Sequence, residues 1–296
     1  MNSMTDATPL QENLAGPNRF IGDILIATGR LSAQDAARIL ERQRQDNVQF
    51  GDAALALKIL TREDIDFALS KQFDYAYLSE EDASLSPALV AAYKPFSRVG
   101  ENLRAVRSQL VLRWFGADSA RKVLAVVSPN KLEGRSFLAA NLAIVFAQQG
   151  ERTLLIDGDL RAAPGKNQHA LFKLGKSAGL SGLLAGRAGL ETILAVPGLA
   201  GLMVLPAGTV PPNPQELLGR VAFGSLLRTT SQQYDVIIID TPAASACADA
   251  EIIASRAGAA LIVARKNKSL MPQTTQLARR LQDSGVALVG SVLNDD

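Results

Sequence analysis

Residues Lys122 to Arg161 read KVLAVVSPNKLEGRSFLAANLAIVFAQQGERTLLIDGDLR. Val123 to Val127 is an apolar, β-branched run broken at Ser128-Pro129-Asn130. After Glu133-Gly134-Arg135-Ser136 the pattern becomes an alanine- and leucine-rich helix ending near Gly150. A strand, a tight loop and a helix in that order aim backbone N–H groups and a helix N-terminus at one spot, a geometry that binds phosphate. A second apolar strand, Thr153 to Ile156, then delivers Asp157 and Asp159 at its C-terminal end, where open α/β sheets place their ligands.

As a motif the loop departs from the full P-loop, because Pro129 stands where that pattern has its first glycine and Arg135 where it has lysine. A Gly-Arg-Ser turn alone also fits an ordinary strand-to-helix connection. Two further segments decide between these readings. One is LLIDGDLR, Leu154 to Arg161; the other is VIIIDTP, Val236 to Pro242, an apolar strand ending in Asp240-Thr241-Pro242. Three strand ends carrying Ser136, the Asp157/Asp159 pair and Asp240 are expected to converge on one nucleotide-metal site.

These residues resemble the variant Walker A, Walker A′ and Walker B motifs of the bacterial tyrosine kinases (BY-kinases) of exopolysaccharide and capsule assembly, and they match in order. Glu101, Arg104 and Arg107 fit that family's E-x2-R-x2-R assembly helix, and Pro212-Asn213-Pro214-Gln215-Glu216-Leu217-Leu218 fits its PNPxELL segment. The resemblance covers about Phe96 to the C-terminus and is close to the subgroup called chain-length-determinant tyrosine kinases. It implies an ATP- and Mg²⁺-dependent protein-tyrosine phosphotransferase. Glu133, Gly134, Arg135, Ser136 and Phe137 would bind the nucleotide, and Ser136, Asp157 and Asp240 the metal. Asp157, Asp159 and Arg135 would serve the transfer, with Asp157 accepting the tyrosyl proton. The resemblance also implies a homo-oligomer, a ring, built through Glu101, Arg104 and Arg107. Its further implication is a membrane chain-length determinant (co-polymerase) as partner, which would hold a cytoplasmic chain at the periphery of the inner membrane. Arg135 keeps the lysine's charge but is longer and planar, so nucleotide binding is expected to survive the replacement better than transfer. The last tyrosine is Tyr234, ahead of a strand, so phosphorylation of a terminal tyrosine cluster is not expected.

Composition is consistent with this picture. The chain has 296 residues, 47% hydrophobic and 20% charged, enough for a full core in one large or two smaller domains. Its 31 basic and 29 acidic residues leave a formal charge of +2, so no overall field draws nucleic acid or an anionic membrane. A single cysteine, Cys247, excludes an internal disulfide framework and suits a reducing compartment. With one histidine, His169, a zinc site is ruled out. No run reaches the ~18–20 apolar residues of a membrane span, and no secretory h-region precedes residue 19.

The expected architecture is an α/β P-loop parallel sheet with helices on both faces, preceded by a small mainly α-helical repeat domain. Residues 1–18 read as a disordered lead, 19–78 as the repeat domain, 79–95 as a linker and 96–296 as the P-loop domain. The repeat pairs Gly22 with Gly51, Leu31 with Leu60 and Gln43 with Gln72, each 29 residues apart. Ser32 and Thr61 sit as caps before the longer helices. This unit resembles the MshEN-type N-terminal domain of type II secretion and type IV pilus ATPases, some of which bind cyclic di-GMP. Phe20 and Gln49 stand where the ligand-binding motifs open on arginine, so protein docking or a structural role is favoured over that dinucleotide. Two other functions use the same P-loop sheet. One is a nonenzymatic ATP-binding scaffold that controls polymer length, which Arg135 favours. The other is a MinD/ParA-type ATPase, whose signature lysine would stand at Asn130.

Overall fold

In a computed structural model, which describes residues 20–72, 78–79, 82–163, 165 and 167–295, the chain divides into units 1–75 and 76–296. The expected lead, 1–18, lies outside the described residues, as do Tyr75, Tyr77, Glu80 and Glu81. The first unit holds α1 (Ile21–Ala27), α2 (Ala33–Asp46), α3 (Phe50–Ala56) and α4 (Arg62–Gln72). The expected caps form: Ser32 Oγ accepts from Asp35 N at 3.0 Å and Thr61 Oγ1 from Asp64 N at 3.2 Å. Asp64 reaches back to Thr61 N at 3.0 Å, which closes a capping box. The repeats then interlock, α1 on α4 and α2 on α3, and bury Leu25, Ile39, Ala53, Ala54 and Ala68 between them.

The second unit begins with α5 (Val90–Tyr93) and α6 (Arg98–Leu110). It continues through β1 (Val123–Val127), α7 (Arg135–Ala147), β2 (Thr153–Asp157), α8 (Gln168–Leu171) and α9 (Gly179–Leu184). Next come β3 (Leu194–Ala195), β4 (Leu202–Leu205), α10 (Pro214–Gly219), α11 (Val221–Gln233) and β5 (Val236–Asp240). The chain closes with α12 (Asp249–Ala257), β6 (Ala259–Arg265), α13 (Met271–Asp283) and β7 (Ala287–Asn294). The sheet order is β3-β4-β2-β5-β1-β6-β7, parallel except that β3 runs antiparallel to β4. A two-residue strand carries no period, so the sequence gives no sign of β3. The α/β class with helices on both faces is as expected.

Two-residue alternation divides each central strand between two cores. Leu124, Val126, Leu155 and Ile238 face the core under α5, α6 and α7. Val123, Ala125, Leu154, Ile156, Ile237 and Ile239 face the core under α9 to α13. Strands buried on both faces read as unbroken apolar runs, and these do. In the PNPxELL segment Pro214 opens α10, where its missing N–H leaves no bond unmade, and Leu217 and Leu218 enter the second core.

The linker expected over 79–95 needs correction. Leu85, Leu89, Ala91, Ala92 and Tyr93 are buried in the first core of the large unit, against α7. Asn141, fully buried on α7, accepts from Ala91 N at 2.9 Å and donates to Ala88 O at 3.2 Å. Gln148 Nε2 donates to Ala91 O at 2.9 Å, and the Tyr93 hydroxyl closes on Leu85. The segment's acidic, tyrosine-containing composition is that of a surface connector, while its apolar residues are spaced to face α7. Asn141→Leu should therefore leave buried backbone groups without partners, each costing ~1–3 kcal/mol. The expected result is a lower unfolding midpoint and early proteolysis near residue 88; cleavage there at the wild-type rate would contradict the docking role.

Candidate nucleotide site

Parallel pairing places the three critical strand ends side by side. Asp157 of β2 is in register with Asp240 of β5, and Asp240 with Val126 of β1, just ahead of the loop. Gly158 makes the approach close: its N–H donates to Asp240 O at 2.9 Å, and a Cβ there would lie 2.6 Å from that oxygen. The glycine between the two aspartates is thus a packing requirement that motif reading passes over.

Between β1 and α7 the loop reverses through Leu132 (φ 63) and Gly134 (φ 95), both left-handed, and Gly134 caps α7. A side chain at Gly134 would collide with Asn294 Nδ2, which lies 2.3 Å from the Cβ position. Glu133 is fully buried and turns inward. Its carboxylate accepts from Asn130 N at 2.7 Å, from Asn130 Nδ2 at 3.3 Å and from the hydroxyl of Ser269 in a short bond. Gln273 accepts from Asn130 Nδ2 at 2.7 Å, and Arg265 donates to Leu132 O at 3.2 Å. The carboxylate of Glu133, a residue expected to bind the nucleotide, thus fixes the loop's own shape.

Arg135 is also buried. Its Nε donates to Thr241 O at 2.8 Å, and its Nη1 to Ser128 Oγ at 2.5 Å and Asn130 O at 2.8 Å. The guanidinium therefore braces the loop against the chain following Asp240. Ser136 and Phe137 are half-buried at the start of α7. Beside Gly134 and Phe137 lies a cavity of about 320 Å³, lined also by Asn102, Leu103, Val263 and Asn294.

The carboxylates gather on the other side of the loop. Asp157 accepts from Asp159 N at 3.2 Å and Gln168 N at 2.9 Å; Asp159 accepts from Arg161 N at 3.1 Å. Burial, then the neighbouring Asp240, pushes Asp157 well above the usual carboxylate range. Burial also raises Asp240, against the opposing pull of Arg135. Asp159, half-buried, is raised by burial and pulled back by the Arg161 N–H and by Arg135. Arg161 pairs with the buried Asp249 at 2.7 Å and anchors the end of this segment to α12.

The donor set fits Mg²⁺. Asp240 Oδ1 is buried without a hydrogen-bond partner, and hard oxygen donors are what this ion takes. Among the described residues no three His, Cys, Asp or Glu cluster into an all-protein metal cage. Mg²⁺ is commonly held by one or two carboxylates plus substrate phosphates, so two carboxylates and a hydroxyl suffice.

No family model matches the chain. It is 31% identical over 217 residues to a putative tyrosine-protein kinase, CapB, of Staphylococcus aureus, covering 73% of this chain and 92% of that protein. The chain belongs to the bacterial tyrosine-protein kinase family. Its fold superposes on the kinase domain of the Escherichia coli tyrosine kinase ETK with a TM-score of 0.66 and 32% identity, covering 73% of this chain and 83% of the other. The Mg-ADP complex of the septum site-determining protein MinD from Pyrococcus horikoshii matches less well, with a TM-score of 0.51 and 25% identity, over 58% of this chain and 69% of that one. Two longer tyrosine-kinase relatives are spanned for 29% and 26% of their length. The relationship to CapB extends over 217 of the chain's 296 residues.

Holding Asp157 and Asp240 together has a measurable cost. A carboxyl raised in the folded state favours folding below its ordinary pKa of ~3.9, and that contribution is lost as pH rises through the raised value. Asp240→Asn should therefore raise the unfolding midpoint of the ligand-free protein at pH 7. The expected gain is about 2–4 °C for each ~1 kcal/mol relieved, shrinking toward pH 4. A midpoint difference independent of pH would contradict the electrostatic origin.

Proposed function

We propose that this chain is an ATP-dependent protein-tyrosine kinase that regulates exopolysaccharide polymerisation and chain length together with a membrane chain-length determinant. The observation that supports this reading is the register of Asp157 with Asp240 beside the start of α7, where one amide, Gln168 Nε2, bonds both Asp240 and Ser136 O. Kinship with tyrosine-protein kinases supports it. Ser136, Asp240 and Asp157 would hold Mg²⁺, which with ATP supplies the charge neutralisation that phosphoryl transfer needs. The backbone at Gly134 and the start of α7 receives phosphate oxygens, and the cavity beside Phe137 takes the nucleobase. Asp157 receives the tyrosyl proton. Asp159, whose N–H donates to Asp157, assists.

Arg135 sets the level of activity. Its Nε and Nη1 donate within the protein, so its charge steadies the loop from below. That observation favours a second reading, an ATP-bound scaffold without transfer. Labelled ATP, with the cytoplasmic segment of the chain-length partner as acceptor, separates the two. Asp157→Asn should abolish transfer and keep nucleotide binding. Arg135→Ala should weaken binding roughly tenfold to hundredfold, the equivalent of ~1.5–3 kcal/mol for the charge-assisted hydrogen bonds that brace the loop. Arg135→Lys should raise transfer. Absence of transfer in both wild type and the lysine variant would leave the scaffold.

Assembly through α6 belongs to the same proposal. Glu101 is exposed and pairs with Arg104 at 2.5 Å, while Arg104 also donates to Pro95 O at 2.6 Å. Arg107 donates to Val145 O of α7 at 2.7 Å, so reversing its charge would disturb the fold as well as any interface. Glu101→Arg is the cleaner probe, since an exposed pair is worth ~0–1 kcal/mol to stability. Sedimentation with ATP and the partner should show mass shifting toward monomer; an unchanged profile removes the assembly role. No described helix is long and apolar enough to cross a membrane, and we assign inner-membrane association to the partner. The first unit is assigned to protein docking or structure, because neither Phe20 nor Gln49 offers the guanidinium that a cyclic dinucleotide would need.

A further inference from the structure

Gln168 belongs to no motif, yet it is wholly buried at the centre of the site. Its Nε2 donates to Asp240 Oδ2 at 2.7 Å and to Ser136 O at 3.1 Å, while its backbone N–H donates to Asp157 at 2.9 Å. Two buried acceptors beside it, its own Oε1 and Asp240 Oδ1, have no hydrogen-bond partner. The carboxamide cannot be turned over in place, because Oε1 would then face a carboxylate and a carbonyl, which only accept. The pocket is therefore rich in lone pairs, and the amide N–H group supplies positive dipole to the carboxylate and hydroxyl-bearing residue expected to meet the divalent cation.

We propose that Gln168 is a plug in the cation site: its Nε2–H₂ group takes the cation's place against Asp240 beside Ser136 and must turn away before a divalent ion can bind. The proposal rests on the nucleotide-site reading above and adds a competing ligand built into the chain. It leaves Asp240 Oδ1, already without a partner, and Oδ2, freed when the amide leaves, as acceptors for the ion. Cation binding is then opposed by the hydrogen bonds it must break.

The test uses Mn²⁺ as the probe, titrated by electron paramagnetic resonance into the full chain with saturating ADP. Gln168→Ala and Gln168→Leu should bind Mn²⁺ roughly tenfold more tightly than wild type, about the factor of one net hydrogen bond. Both variants should also melt lower without ligand and gain more from Mn²⁺ with ADP, as linkage requires. Equal or weaker Mn²⁺ binding in the folded variants, with wild type binding normally, overturns the plug and leaves the nucleotide site standing. Failure of wild type to bind Mn²⁺ with ADP overturns both. Should neither variant fold, the Gln168 side-chain amide signal in ¹⁵N-glutamine-labelled wild type decides: it must shift on adding Mg²⁺ and ADP, and an unmoved signal overturns the proposal.

Discussion

Two carboxylates held in register at the ends of adjacent parallel strands, Asp157 on β2 and Asp240 on β5, set the terms for the rest of this structure. Each is buried, and Asp240 disfavours ionisation of Asp157. Such a pair persists when neighbouring groups over-determine it. Gly158 lets the strands close, Gln168 bridges both acids, and Arg135 brings a fixed charge toward Asp240. The unbroken apolar strands beneath supply the rigidity, since a packed sheet does not yield to repulsion at its edge.

The phosphate loop depends on the far end of the chain. Arg265 at the end of β6, Ser269 after it, Gln273 on α13 and Asn294 at the end of β7 all bond loop residues 130–133. Glu133 is the pivot, a buried carboxylate whose acceptors are taken by the loop's own backbone and by Ser269. A negative charge placed there would oppose an anionic ligand if it faced the mouth; turned inward, it holds the loop in a shape that Leu132 adopts with a left-handed backbone. The last two αβ units therefore complete the site as well as the sheet.

Much of this was legible in the sequence because the relevant signals are local. The apolar runs ending in Asp157 and Asp240 announce buried parallel strands, and the spacing from Gly134 to Ser136 announces a loop entering a helix. The caps Ser32 and Thr61 mark the helices of the first unit. What escaped notice depends on partners distant in sequence. Asn141 looks like a polar interruption of an apolar helix until Ala88 and Ala91 are brought to it, which is why residues 79–95 passed for a linker. Gln168 sits 11 residues beyond Asp157 and 72 before Asp240, at the start of the four-residue α8, in a stretch whose composition resembles any surface turn. Arg135 was legible as a substitution, but its three acceptors were not, since no spacing rule shows whether a guanidinium reaches outward or folds back.

α7 joins these themes in one element. Its N-terminus carries Arg135 and Ser136 into the site, its middle binds the α5 segment through Asn141, and near its end Val145 O accepts from Arg107 of α6. Nearly every residue of this helix is buried, so it cannot bend locally to accommodate change at one end. The loop and the helix that carries Glu101, Arg104 and Arg107 are thus joined through a single buried helix, in which the arginine that departs from the ordinary motif is the first residue.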